Sequence, residues 1–348
     1  MIIVMRQGCT EDHVQDVAQR LESLGYLVTR IVGVEKTILG AVGGEEYAKV
    51  DSIDQLRALE WVEDVLLITK PFKLVAKESR PGPTLIDLGD GVVIGGDDIV
   101  VMAGPCTVEN EAQLFMTAER VAKAGATVLR GGAYKPCTSP YSYQGMGVPG
   151  LKLLAEAAKQ FNLKVITEVM DPRKVDLVCE YADILQVGTR NMQNYDLLRE
   201  VGLARKAVML KRGMSAKYEE WLLAAEYIAA GGNERIMLCE RGIRTFETAT
   251  RNTIDITAIP VIKGLSHLPV ILDPSQGTGK RDLVFPLCRA GIAAGADGLI
   301  IEVHPNPDHA IKDGSQSVTI EQFEEMMEPF DRVAQAVDRR IAKRPVSA

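Results

Sequence analysis

The chain has 348 residues, 46% apolar and 25% charged, which excludes a disordered polymer and leaves room for a barrel of about 250 residues plus one smaller domain. A net charge of -7 and a pI near 5.4 exclude the basic face that nucleic-acid binding needs, so any anion site must be a local concentration of cations. Six cysteines lack the dense spacing of a disulfide scaffold, MIIVMRQG turns polar too soon for a signal peptide, and no run reaches the ~18 apolar residues of a membrane span. A soluble protein of the reducing cytoplasm is expected.

Residues 1–72 read strand, helix, strand, strand, helix, strand. MIIVMRQ precedes a helix with Val14, Val17, Ala18, Leu21 and Leu24 on one face, capped by Thr10 with Glu11 and Asp12 in its first turn. LVTRIVG, TILGAVG, a helix over SIDQLRALEWV and VEDVLLIT complete the βαββαβ order of a ferredoxin-like module, without catalytic chemistry and therefore read as regulatory. Residues 73–98 form a linker, KESRPGPT, and a hairpin turning at Gly89-Asp90-Gly91, placed to cover the bottom of a barrel.

Residues 99–348 carry eight short apolar runs separated by helix-length stretches. They are IVVMAGPC to Cys106, ATVLRGG around Arg130, KVITEV around Glu168, ILQVGTR to Arg190, AVMLKRG around Lys211, RIMLCER to Arg241, PVILDPSQ to Gln276 and GLIIEVH around Glu302. Buried parallel strands with crossover helices give this pattern, and eight units give a (β/α)8 TIM barrel whose strand ends converge on one mouth. A charged helix capped by Thr319 and bent near Pro329 closes the chain.

Two glycine motifs carry little. Gly145-Met146-Gly147-Val148-Pro149-Gly150 matches GxGxxG, yet no strand runs into it and Pro149-Gly150 makes a poor helix start. Gly277-Thr278-Gly279-Lys280 lacks the first glycine of a phosphate loop and is followed by Arg281 instead of Ser or Thr, so it is at most a turn offering backbone N–H groups to a phosphate. The cations weigh more. A lone charge at a strand end is usually a solvated rim residue, but Arg130, Lys135, Arg190, Lys211 and Arg241 would repel one another in a desolvated cup, so an anionic ligand should balance them. Arginine suits planar recognition of phosphate and carboxylate. Cys106, Glu302 and Asp313, with His304 and Gln276 in the same zone, form a mixed thiolate and carboxylate set that suits Zn, Mn, Fe or Co better than Mg or Ca.

AGPCTVEN, LRGGAYKPCTSPYSYQG, QVGTRNMQN, LKRG, LCERGIRTFETATRNT, DPSQGTGKRDLV and EVHPNPDHAIKDGSQS closely resemble the type I (beta branch) 3-deoxy-D-arabino-heptulosonate 7-phosphate (DAHP) synthases, over about residues 95 to 335. The first 70 residues resemble the ferredoxin-like regulatory extension of some members. The resemblance implies condensation of phosphoenolpyruvate with erythrose 4-phosphate, the entry to the shikimate route and to aromatic amino acid biosynthesis. It assigns Arg130, Lys135, Arg190, Lys211 and Arg241 to phosphoenolpyruvate, Thr138 and Ser139 to substrate, and Cys106, Gln276, Glu302 and Asp313 to a divalent metal ion. Lys135 and Cys106 are the expected catalytic residues.

Two positions depart from the family pattern. Its metal-binding DPSH histidine is Gln276 here, which offers a carbonyl oxygen in place of an imidazole nitrogen. Its KPRTS arginine, a grip on the erythrose phosphate, is Cys137, a loss of about 1.5 to 3 kcal/mol in a charge-assisted contact. Three readings therefore stand: a DAHP synthase, a phosphoenolpyruvate-dependent synthase with another aldose phosphate such as arabinose 5-phosphate, and a non-catalytic regulatory paralogue. The expected partners are phosphoenolpyruvate, an aldose phosphate, a tyrosine or phenylalanine effector and further copies of the chain in a dimer or tetramer; nucleic acid and membrane are not expected.

Overall fold

The computed structural model describes residues 1–343 except 33–35, 44–52, 67–69, 81 and 138. Two compact units divide the chain, Met1–Pro71 and Phe72–Ala348.

In the first unit, β1 (Ile2–Met5) pairs antiparallel with both β3 (Thr37–Gly43) and β4 (Val62–Leu66), and β2 (Tyr26–Val32) completes the sheet order β2-β3-β1-β4. Helix α1 (Glu11–Ser23) is capped by Thr10, whose side chain accepts from the His13 N–H. It buries Val14, Val17 and Leu21. These meet Ile3, Met5, Leu39 and Val65 of the sheet and Leu56 of the short helix α2 over 53–57, a separate core.

The second unit is a closed barrel. Its strands are β7 (Asp98–Gly104), β8 (Val128–Arg130), β9 (Lys164–Val169), β10 (Ile184–Val187), β11 (Ala207–Lys211), β12 (Ile236–Glu240), β13 (Val270–Leu272) and β14 (Gly298–Glu302). Each pairs parallel with the next, and β14 pairs with β7 to close the ring. Alternation divides each strand between two cores, which is why the runs are apolar throughout. Val101, Leu129, Val165, Leu185, Leu210, Leu238, Leu272 and Leu299 pack outward on the helices. Val100, Met102, Val128, Ile166, Ile184, Met209, Met237, Ile271 and Ile300 fill the interior.

That inner core includes Ile86, Leu88, Val92 and Ile94 of the hairpin β5 (Ile86–Asp87) and β6 (Val93–Ile94). Its turn uses left-handed backbone at Gly89, Asp90 and Gly91. Asp90 receives the Lys164 ammonium at 2.7 Å, at the start of β9, so the hairpin plugs the N-terminal end of the barrel. The segment before the hairpin is docked rather than free. The N–H groups of Lys73, Leu74 and Val75 donate to the Glu226 carboxylate, and the Val75 carbonyl accepts from Ser266 at 2.5 Å.

Helix α11 (Ile320–Gln335) starts with a Thr319–Gln322 capping box, contains Pro329, and leads to β15 (Arg340–Ile341), which pairs with β7 outside the ring. Two local expectations are corrected. A helix does begin within the glycine motif: α4 (Val148–Gln160) takes Gly147 as its cap and carries Pro149 in its first turn, where the missing N–H has no helical partner to lose. The glycines after β13 are not an open turn, since α9 (Pro274–Thr278) runs from the Asp273 cap to left-handed Gly279. Among the described residues no helix is long and apolar enough to cross a membrane, and all six cysteines are free.

Burial of the hairpin predicts that Ile86→Ala destabilises the chain by about 2 to 5 kcal/mol in urea unfolding, the range for a large aliphatic residue lost from a close-packed core. A loss below about 1 kcal/mol would show that the hairpin does not belong to that core.

Candidate active site at the barrel mouth

The inward row of each strand changes character at its C-terminal end. Two residues beyond Val128, Ile166, Ile184, Met209, Ile271 and Ile300 stand Arg130, Glu168, Gln186, Lys211, Asp273 and Glu302, all buried. Period-two geometry puts them on the face of the inner core, so they form a polar layer above it. Gly104, at the end of β7, permits this crowding. Its φ is +152°, and an added Cβ would collide with the Arg130 carbonyl oxygen.

The charges are interlocked. Arg130 Nη1 donates to the Pro105 carbonyl at 2.8 Å and meets Glu302 Oε1 at 3.2 Å. Glu302 Oε2 accepts from Gln316 at 2.6 Å. Lys211 donates to Asp273 Oδ2 at 2.5 Å and to Gln276 Oε1 at 3.2 Å. Burial alone would raise the Asp273 pKa, but the adjacent Lys211 charge overrides it and holds the carboxyl below its ordinary value. Arg212 joins Glu240 at 2.9 Å and Asp255 at 2.8 Å, and Tyr218 donates to Asp255 at 2.6 Å. Burial and that hydrogen bond push the Tyr218 phenol up to about 12. Arg241 Nη2 reaches the Gln276 carbonyl at 3.4 Å, while its Nε is buried with no partner among the described residues.

Lys135 Nζ donates to the Cys106 carbonyl and to its sulfur, each at 3.1 Å, and the Cys106 thiol donates to Asp313 Oδ2 at 3.1 Å. Burial pushes the Cys106 thiol up, with Glu302 adding to the effect. Burial works against the charge on Lys135, yet Cys106 and Glu168 outweigh it and raise its pKa. We take Cys106 as a thiol until a cation balances it, with Glu168 left to sustain the Lys135 charge.

These groups open onto a cavity of about 300 Å³ lined by Lys135, Arg190, Lys211, Arg241, Gln276 and Asp313, all six anticipated from sequence. Ser139, exposed, and Cys137 also line it; the Cys137 thiol donates to the Tyr143 carbonyl at 3.1 Å. Arg130 lies below, against Glu302, and Thr138 falls outside the described residues. One donor atom each from Cys106, Glu302 and Asp313 lies within 4.8 Å of the other two, a group able to hold a metal ion. The Gln276 amide oxygen, instead, accepts from Lys211. His304 is buried away from the cavity lining, against Glu109.

Sequence reasoning placed Glu168 at a strand end without giving it a role and missed Gln186, Arg251 and Lys312, which share the lining. A polar residue two positions beyond an apolar inward one was the signal for the first two. Arg251 and Lys312 lie in long loops, where no periodicity marks them.

The model of the DAHP synthetase I family matches residues 75–339, and that of the DAHP synthase ferredoxin-like domain matches residues 1–70. The chain belongs to the DAHP synthetase I family. It is 48% identical over 341 residues to the phospho-2-dehydro-3-deoxyheptonate aldolase of Thermotoga maritima, covering 98% of this chain and 100% of that protein. A crystal structure of the Thermotoga maritima DAHP synthase superposes with a TM-score of 0.94 at 47% identity, covering 98% of this chain and 99% of that one. A 2-dehydro-3-deoxyphosphooctonate aldolase of Syntrophotalea carbinolica is 30% identical over 263 residues, 70% of this chain and 94% of that protein. This family member thus combines the eight-stranded barrel with the ferredoxin-like domain.

The Lys211–Asp273 pair predicts a large effect when one partner is removed. Lys211→Met leaves a buried charge uncompensated, and urea unfolding should show a loss of about 3 to 5 kcal/mol, largely recovered in the Lys211→Met, Asp273→Asn double variant. Equal losses in the single and double variants would contradict the pairing.

Proposed function

We propose that this mouth joins phosphoenolpyruvate to erythrose 4-phosphate with release of phosphate, the DAHP synthase reaction that opens the shikimate pathway. The observation that carries the reading is an excess of cations at the mouth beside a metal-competent donor group. Arg130, Lys135, Lys211, Arg212 and Arg241 face the five carboxylates Glu168, Glu240, Asp255, Asp273 and Glu302, whereas at the lining Arg190, Arg251 and Lys312 stand against Asp313 alone. An anion is needed to balance that excess.

Lys135, Arg190, Lys211 and Arg241, with Arg130 beneath them, orient the phosphate and carboxylate of phosphoenolpyruvate so that C3 faces the aldehyde carbon. The buried Arg241 Nε and Thr189 hydroxyl, unpartnered among the described residues, are donor groups suited to a substrate oxygen. Ser139, and Thr138 beside it in sequence, serve the aldose phosphate. The C3–C1 bond forms, water adds at C2, and phosphate leaves from C2. Lys135 supplies the proton to the developing alkoxide, a far stronger base than its own amine. The donor set of Cys106, Glu302 and Asp313, with Gln276 as a weaker fourth ligand, fits Mn, Fe, Co or Zn, and such an ion supplies Lewis acidity toward the aldehyde oxygen. The ferredoxin-like domain serves as a sensor for tyrosine or phenylalanine, and the chain works as a dimer or tetramer.

Purified protein with both substrates and Mn(II) should release phosphate and consume phosphoenolpyruvate. A chelator should stop it and added metal restore it; absence of turnover at every metal concentration would overturn the reading. Gln276→His should lower the Mn(II) concentration at half-maximal rate. Cys137→Arg should lower KM for erythrose 4-phosphate by about one to two decades, the worth of a charge-assisted contact. Cys137 also supports a different aldose phosphate as acceptor, which a panel compared by kcat/KM decides. Removal of residues 1–71 should leave turnover intact and abolish inhibition by tyrosine or phenylalanine; undiminished inhibition would overturn the sensor assignment.

A further inference from the structure

One buried carboxylate outside the cavity lining has no part in the chemistry described so far. Glu109 lies three residues beyond Cys106 in the loop after β7, with its side chain 5% exposed. Its Oε1 accepts the backbone N–H of Ile311 at 2.8 Å, and its Oε2 lies 3.3 Å from His304 Nε2. His304 Nδ1 accepts the Asn306 N–H at 3.0 Å, so the ring carries its proton on Nε2 and donates it to Glu109. The same loop is fastened on its other side, where the Tyr143 hydroxyl donates to the Val108 carbonyl at 3.2 Å.

The sequence positions of these contacts are informative. Ile311 stands two residues before Asp313, and His304 two residues after Glu302. The three side chains able to hold a metal therefore come from three segments, and Glu109 belongs to one segment while its two oxygens grip the other two. Cys106 and Asp313 are 207 residues apart in the chain, and Asp313 sits in left-handed backbone at φ +55°. Only tertiary contacts can fix their spacing. We propose that Glu109 is a positioning residue that sets the separation of Cys106, Glu302 and Asp313, resting on the reading of those three as metal ligands.

Glu109→Gln is a sharp perturbation. Either orientation of its amide meets one N–H with a second N–H, so the Ile311 or the His304 contact is lost. Adding His304→Gln in the same chain restores complementarity at position 109, although it removes the acceptor of the Asn306 N–H, because the amide oxygen introduced at position 304 accepts from the amide N–H at position 109, while the amide oxygen at position 109 still accepts from Ile311. The full-length chain, stripped of metal, is titrated with Co(II) while the sulfur-to-cobalt charge-transfer band is followed, with Cys106→Ser as the control. Glu109→Gln should raise the Co(II) Kd about 10- to 100-fold, the usual consequence of losing a partner that orients a metal ligand. At saturating metal its KM for phosphoenolpyruvate should stay within about twofold, and the double variant should regain most of the affinity. A Glu109→Gln Kd equal to that of the unmodified chain, or a double variant no better than the single one, overturns the proposal while leaving the metal reading intact. A charge-transfer band that is absent from the unmodified chain, or that persists in Cys106→Ser, overturns the metal reading itself.

Discussion

The strand-end layer beneath the mouth depends on keeping charged side chains dry. Arg130 and Lys211 are held against Glu302 and Asp273, and each pair has lost the water that would otherwise screen it. Such pairs contribute little net stability, because desolvation offsets most of their attraction, but each partner is intolerable without the other. The charges are therefore preorganised before any substrate arrives, which is the condition for electrostatic catalysis. What the pairs do not neutralise is the binding energy on offer: a surplus of cations above an inner core of Val, Ile and Met.

That inner core separates scaffold from site. The hairpin at Ile86–Ile94 fills the lower barrel with aliphatic side chains, and the helices press on the outward rows, so loops at the upper rim can diverge without disturbing either core. Gln276 and Cys137, the two departures from the family pattern, both lie in that upper zone. Gln276 is held by backbone contacts to Arg241 and Asn252 and by its N–H to Asp273, so its place on α9 is set by the turn and not by its side chain. Exchange at this position can alter the side chain presented to the cavity without altering the fold.

The barrel was legible because both faces of each strand are buried, which leaves eight continuous apolar runs, and the first domain because its elements alternate in a recognised order. Element ends were less so. β8 and β13 are only three residues long, since the backbone after Arg130 and Leu272 turns at once into loop or helix, and neither turn has a hydrophobic period. Cations announced themselves as charges in apolar surroundings. Glu168, Gln186 and Asp273 carried the same mark, yet a search for an anion site passes over residues of the wrong sign or none. The Glu109–His304 contact joins residues 195 apart, and nothing local in either segment could reveal it.

The central claim is that the strand-end cations and the Cys106 group form one site for phosphoenolpyruvate and a metal ion. A crystal structure of the chain with Mn(II) and phosphoenolpyruvate tests it most directly. The account predicts the metal on Cys106, Glu302 and Asp313, and the substrate's phosphate and carboxylate on Lys135, Arg190, Lys211 and Arg241. Metal bound away from Cys106, or phosphoenolpyruvate seated outside the cavity that Lys211 and Arg241 line, would contradict it.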